Sequence, residues 1–250
     1  MFNGSRLGPF ELHTAVGAGA GSRVWRARDL RDGSACAVKL VPLADGAACA
    51  RLRNEFDLAA DLTHPNLVRV FDGGADGAAG MAWLAMECLP GTRAAVTPAT
   101  FRQLLLALVH LDAHRIVHCD VKPANLLAGR DGSLILADFG IARRVGQGGG
   151  PVHGTPHYMA PEQLRGRALD ARCDVFAAGV VLFELATGRL PFRGTPFEVV
   201  SQVLRGPVVP GGVKPPLEHL LRRALAIDPG QRFADPAQFL AAYDALGDRF

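Results

Sequence analysis

From Cys173 to Leu185 the chain reads Cys-Asp-Val-Phe-Ala-Ala-Gly-Val-Val-Leu-Phe-Glu-Leu, a helix that is hydrophobic almost all the way round. Such a helix has no face to offer water and belongs in the middle of a helical lobe. Further amphipathic segments accompany it. Phe101, Leu104, Leu105, Leu108 and Leu111 recur at three- and four-residue spacing, and Leu220, Leu221, Ala224 and Leu225 share a face within 217–227. Short helices are expected over 196–204 and 236–246. With 49% hydrophobic and 20% charged residues in 250, the chain can bury a sizeable core and is not broadly disordered. The length fits one large domain or two lobes sharing an interface.

The N-terminal third follows a different rhythm. Phe10 to Val16 alternates loosely, Gly17-Ala18-Gly19-Ala20-Gly21 follows, and Val24-Trp25-Arg26-Ala27 returns as a strand, so the glycines form a hairpin tip. Small residues there let backbone N–H groups close over phosphates, although a plain turn reads equally well. A Rossmann site would need a helix after the glycines, and here a strand follows. Cys36 to Leu40 is a strand with Lys39 embedded in it, and a helix is expected over about 46–62. On that helix Glu55 lies one turn after Arg51, a candidate surface partner. His64 to Val70 opens another strand, Gly73 to Gly80 reads as a flexible turn, and Trp83 to Met86 as a buried strand. Glu87 to Gly91 is the expected linker.

The chemistry-bearing residues concentrate in His118-Cys119-Asp120-Val121-Lys122-Pro123-Ala124-Asn125. Thirteen residues after Asn125 comes Asp138-Phe139-Gly140, behind the apolar run 134–137. The set suits phosphoryl transfer. Asp120 can accept a proton from an attacking hydroxyl, Lys122 can neutralise the moving group, and Asn125 with Asp138 can hold magnesium. As bare residues these are also common turn formers, which leaves a simple loop open.

In order and spacing these pieces resemble the protein kinase family, specifically its bacterial, eukaryotic-like Ser/Thr branch. The resemblance is carried by H-x-D-x-K-x-x-N at 118–125, D-F-G at 138–140, and the glycine pattern at Gly17, Gly19 and Val24, with Ser22 at the third glycine. It also rests on Lys39 in A-V-K, G-T-P-H-Y-M-A-P-E at 154–162 and D-P-x-x-R at 228–232. It runs from about Phe10 to Leu246. It implies an α+β, bilobal protein-kinase fold in one domain over 1–250. The β-rich N-lobe would occupy about 8–86, the hinge about 87–91 and the mostly helical C-lobe about 92–247.

The resemblance further implies ATP with Mg²⁺, or Mn²⁺ in its place. Gly17, Gly19, Ser22 and Lys39 would hold the phosphates, with Glu55 as the partner of Lys39. Val24, Ala37 and Leu127 would sandwich the adenine, with Met86 behind it and backbone groups of Glu87 and Leu89 bonded to it. Asn125 and Asp138 would hold the metal; Asp120, Lys122 and Thr155 would complete the catalytic set. Asp174, a natural cap for its helix, would also hold the backbone of the catalytic loop, and Arg232 would pair with Glu162. The implied partner is a protein with a Ser/Thr acceptor, the chain itself included, with any regulatory partner unidentified.

Two departures stand out. Only about Thr92 to Pro98 remains between hinge and long helix, so the short helix usual there is reduced or absent. Cys119 stands where the family usually has an arginine that clamps a phosphorylated loop. From Ile141 to His153 there is no Ser, Thr or Tyr. Activity independent of phosphorylation in that segment is therefore expected, whereas a phosphate on Thr155 would inhibit by placing charge beside Asp120. Residues 147–151 are expected to be mobile and to order on substrate or a partner. Cys119 reads as a buried thiol, with a redox switch as the alternative.

The two competing functions are a nucleotide-binding scaffold (pseudokinase) and a small-molecule kinase of the aminoglycoside or choline type. The segment 154–162 and the Glu162/Arg232 pair argue against the latter. A net charge of +3 argues for no nucleic-acid or membrane surface, and no apolar run reaches membrane length. The N-terminus lacks a signal-peptide profile, and no residues are left over for a sensor or anchor. Five cysteines without a C-x-x-C pair point to free thiols and a cytoplasmic setting.

Overall fold

The computed structural model describes residues 4–19, 21–147, 155–206 and 213–247. Its N-terminal part is a six-stranded antiparallel sheet built from β1 (Arg6–Leu7), β2 (Phe10–Gly19), β3 (Ser22–Asp29), β4 (Ala35–Pro42), β5 (Val70–Asp76) and β6 (Met81–Glu87). The spatial order is β1-β2-β3-β4-β6-β5, and α1 (Gly46–Ala59) crosses between β4 and β5. Because side chains alternate along a strand, the sheet has two unlike faces. One buries Phe10, Leu12, Trp25, Val38, Leu40 and Trp83 in a small core of its own. The other faces α1 and the C-terminal lobe.

Helix α1 starts where the Asp45 carboxylate accepts the Ala48 N–H at 2.9 Å, an ordinary N-cap. It ends at Ala59, short of the expected Leu62, because Pro65 drives His64 out of helical geometry and the chain turns before it. The segment 64–69 is irregular, and the strand begins only at Val70. The expected turn over 73–80 is half strand: β5 pairs with β6 through Gly73, Gly74, Ala75 and Asp76, leaving the turn to 77–80. The glycines there make room for rings. A Cβ on Gly74 would lie 2.7 Å from the Trp83 indole, and one on Gly73 would lie 3.1 Å from Phe56.

Residues 88–97 carry no helix, as the shortened sequence predicts. They run beside the next hairpin instead: Ala94 N–H donates to Leu126 O at 2.8 Å, and Ala128 N–H to Thr92 O at 2.9 Å. The second lobe contains α2 (Pro98–Ala113), β7 (Ile116–Val117), β8 (Leu126–Ala128), β9 (Leu134–Leu136), β10 (Arg143–Arg144) and α3 (Pro161–Leu164). It continues with α4 (Arg172–Thr187), α5 (Pro196–Arg205), α6 (Pro215–Ala224) and α7 (Pro236–Asp244). All of 173–183 on α4 is buried, including Asp174, so this helix is the axis of the lobe. Gly188 ends it in the left-handed conformation, with φ 67°. The predicted face of α2 is fully buried and packs Phe101 edge-on against Phe239 and Tyr243. No described helix is long and apolar enough to cross a membrane, and all five cysteines are free.

Candidate active site

Strand register sets the upper wall of the interlobe cleft. Directly opposed residues point to the same face, so Gly17, Val24, Lys39 and Leu84 form one row, and Arg26, Ala37 and Met86 the next. This puts Val24, Ala37, Lys39 and Met86 on the cleft side, and β2 and β3 close their hairpin at Gly19 and Ser22. Leu127 on β8 comes from the lower lobe, partly buried. At the hinge, Glu87 donates its N–H to Arg69 O at 2.9 Å, while the N–H of Leu89 has no partner among the described residues.

Lys39 reaches across to two carboxylates: Glu55 Oε2 at 2.7 Å and Asp138 Oδ1 at 2.8 Å. Burial opposes the Lys39 ammonium, but the two carboxylates outweigh it and leave Lys39 more firmly protonated than a free lysine. Burial also pushes the Glu55 carboxyl upward, only partly countered by Lys39. At Asp138 burial is overcome by Lys39, and its pKa falls below the ordinary value. The open choice for Glu55 is thus resolved in favour of Lys39, and Arg51 has no ion pair among the described residues.

The lower wall is the catalytic loop. Asp120 Oδ2 lies 2.7 Å from Lys122 Nζ and accepts Asn125 Nδ2 at 2.9 Å, and the same amide donates to Asp120 O at 2.8 Å. Lys122 Nζ also donates to Thr155 Oγ1 at 3.3 Å. The loop is strained at Cys119, a non-glycine residue at φ 66°, a conformation costing about 1–3 kcal/mol. Asp174 holds it there. Its Oδ2 accepts the N–H of His118 at 2.7 Å and its Oδ1 that of Cys119 at 2.9 Å. The expected capping role is not realised: α4 has no side-chain cap, and the Asp174 carboxylate is committed to the loop. The Cys119 side chain is buried against Val117 O, which fits the thiol reading.

Some contacts had no sequence signal. Gln163 Nε2 donates to Cys119 O at 2.8 Å, tying α3 to the catalytic loop, and Tyr158 donates its hydroxyl to Glu184 at 2.8 Å. An Asn54 amide on α1 donates to Ala142 O at 3.0 Å, just past the Asp138-Phe139-Gly140 turn. The predicted pair of Arg232 with Glu162 is present as a buried, two-pronged bridge at 2.6 and 2.8 Å.

A cavity of about 440 Å³ joins Ser22, Lys39, Glu55, Asp120, Lys122, Asp138 and Thr155, with Arg51 on its wall. Gly17, Gly19, Val24, Ala37, Met86, Glu87, Leu89, Asn125 and Leu127 lie outside that lining, on the adjoining sheet face, the hinge, the catalytic loop and β8. A larger cavity of about 570 Å³, on the outer side of α1 against β5 and β6, contains none of the predicted residues. The expectation of mobility for 147–151 falls on residues outside those described, Gln147 apart, as does Gly154.

The donor set fits a magnesium ion. Asn125 spends its amide nitrogen on Asp120, which turns its Oδ1 free, and Asp138 spends Oδ1 on Lys39, leaving Oδ2 without a partner among the described residues. Magnesium characteristically takes one or two protein oxygens and completes its shell with phosphate and water.

Two lobes, a lysine–glutamate–aspartate cluster above and an aspartate–lysine–threonine cluster below make up the architecture of a protein kinase domain. The protein kinase domain family matches residues 10–242, and the chain belongs to that family. It is similar to serine/threonine-protein kinase PknB of Mycolicibacterium smegmatis, with 36% identity over 261 residues, 93% of this chain and 42% of that protein. It is also similar to serine/threonine-protein kinase PknD of Mycobacterium tuberculosis, with 33% identity over 270 residues, 97% of this chain and 40% of that protein. The chain spans about two fifths of the length of the curated relatives it matches.

Proposed function

We propose that the chain transfers the γ-phosphate of ATP to Ser or Thr hydroxyls of protein substrates, itself included. The observation that carries this reading is the meeting of Lys39, Glu55 and Asp138 with Asp120, Lys122 and Thr155 around one cleft. Lys39 and the hairpin at Gly17, Gly19 and Ser22 hold the phosphates. Val24, Ala37 and Leu127 enclose the adenine, Met86 closes the back, and the Glu87 carbonyl and Leu89 N–H bond its edge. Asn125 and Asp138 would hold Mg²⁺ or Mn²⁺, which would supply charge neutralisation for the phosphates. Asp120 orients the acceptor hydroxyl and takes its proton as the oxygen bonds to the γ-phosphorus and the β–γ bridge breaks. Lys122, fixed by Asp120 and Thr155, offsets the charge on the moving group, so catalysis is mainly positioning and electrostatics.

Activity in this reading needs no phosphate on the loop. Cys119 offers no guanidinium to receive one, and 141–153 has no hydroxyl to carry one. A phosphate on Thr155, 3.3 Å from Lys122, would divert that lysine from the transfer and inhibit. Free thiols support a reducing, cytoplasmic setting.

Transfer of labelled γ-phosphate from ATP–Mg²⁺ to a basic protein and to the chain itself tests the reading, with Asp120→Asn and Asp138→Ala alongside. Label on Ser or Thr that is lost in both variants, with no site in 141–153, is the expected result. Nucleotide binding without transfer, with or without cell extract, would instead establish the scaffold. Label on a small alcohol but on no protein would establish the small-molecule kinase.

A further inference from the structure

The charged side chains lining the catalytic cleft are Glu55, Asp120 and Asp138 against Lys39, Arg51 and Lys122. Five of these six are committed to one another: Lys39 holds Glu55 and Asp138, and Lys122 holds Asp120. Arg51 makes no ion pair or hydrogen bond among the described residues. It sits on α1 one turn before Glu55, on the face that carries Asn54 and Glu55. Asn54 is bonded to Ala142 O, so this face overhangs the chain leaving the Asp138-Phe139-Gly140 turn. Arg51 is thus at the rim, sharing the cavity wall with Ser22 above and with Ile141 and Thr155 below.

A guanidinium in that position is a ready fork for a carboxylate or phosphate. The chain that follows the Asp138-Phe139-Gly140 turn supplies neither in its sequence. From Ile141 to His153 there is no Asp, Glu, Ser, Thr or Tyr, so this stretch has no anion and no hydroxyl that could be phosphorylated; its charges are Arg143 and Arg144. Nor does the acceptor side hold a spare carboxylate at Glu184 or Glu162, since the first takes the Tyr158 hydroxyl and the second takes Arg232. No described side chain supplies a counter-charge to Arg51, and a bound substrate can bring one. Lys39, bonded to Glu55 and Asp138, serves the nucleotide in the kinase reading, whereas Arg51 shares the cavity wall with Thr155, the residue that bonds Lys122.

We propose that Arg51 reads the substrate: it binds an anionic side chain, carboxylate or phosphate, lying within a few residues of the acceptor hydroxyl. The proposal rests on the kinase reading above and adds to it the substrate class, acceptors in acidic or already phosphorylated surroundings.

The test is steady-state kinetics on peptides with a single Ser or Thr acceptor, flanked by Ala, by Asp, by phosphoserine or by Lys, using the wild type, Arg51→Ala and Arg51→Glu. The wild type is expected to show a KM about tenfold lower or better for an anionic peptide than for its Ala counterpart. Whether Asp or phosphoserine gives the larger effect identifies the source of the charge. Arg51→Ala should abolish that difference through KM rather than kcat, and Arg51→Glu should transfer the preference to the Lys peptide. Equal use of all peptides by the wild type would overturn the proposal while leaving a working kinase. A raised KM for ATP with every peptide in Arg51→Ala would overturn it too, by making Arg51 a nucleotide ligand. No transfer to any peptide by the wild type would sink the kinase reading and this proposal together.

Discussion

Lys39 bridges Glu55 on α1 and Asp138 in the Asp138-Phe139-Gly140 turn of the other lobe. Burial pushes the carboxyl of Glu55, at 3% exposure, upward, and that ammonium only partly offsets the push. Lys39→Met would strand a buried carboxylate, and breaking a buried pair in this way costs roughly 3–5 kcal/mol. We expect transfer to be lost and the denaturant midpoint to fall, with a nearly unchanged midpoint as the contrary result. Asp120→Asn should behave differently. The amide keeps the shape and one acceptor for Asn125, so kcat falls by about 10²–10⁴ with little change in stability. The two variants separate a residue that holds the site together from one that carries the proton.

At the level of elements, the end of α2 shows how burial ties protonation to folding. His110 lies between His64 and His114, tilted against both with ring centroids 5.0 and 4.3 Å away, and His118 lies fully buried 5.0 Å from Phe139. Burial, helped at His64 and His110 by a neighbouring histidine, lowers the pKa of His64, His110 and His118 below the usual 6.5. Below that pH the unfolded chain binds protons that the folded chain refuses, so their contribution to stability is lost as pH falls. Asp174, pushed by burial up to about 7, acts in the opposite sense over the same range, since its folded state holds the extra proton. The comparison of variants is therefore the readout. The unfolding midpoint of His64→Asn/His110→Gln should fall less than that of the wild type between about pH 7 and pH 5.5. Parallel curves would refute this.

Elements were legible in unequal measure. Helices α2 and α4 could be read because their apolar spacing is long and consistent. The strand through Gly73 and Gly74 could not, since its reason is the approach of the Phe56 and Trp83 rings, one on α1 and the other across the sheet. Arg232 and Glu162 could be anticipated only through resemblance, because nothing local in either segment points to the other.

Across the whole molecule, that pair joins α3 to the last turn before α7. Arg232 also donates to the carbonyls of Arg172, Ala226 and Ile227, so one guanidinium ties the start of α4 and the chain after α6 to α3. Arg232→Met would leave Glu162, 6% exposed, without a counter-charge. A loss of roughly 3–5 kcal/mol by equilibrium unfolding is expected. An unchanged midpoint would mean that the bridge contributes no net stability.

The sequence by itself determined which residue types could do the chemistry, their order, and which helix had to lie at the centre, because composition and period are local properties of a chain. Tertiary structure alone decided that Glu55 pairs with Lys39 and not with its helix neighbour Arg51, and that Asp174 serves the catalytic loop instead of its own helix end. In both cases a buried carboxylate takes the partners that best offset its desolvation, and those partners are distant in sequence. Arg51 is left on the cavity wall with no ion pair among the described residues.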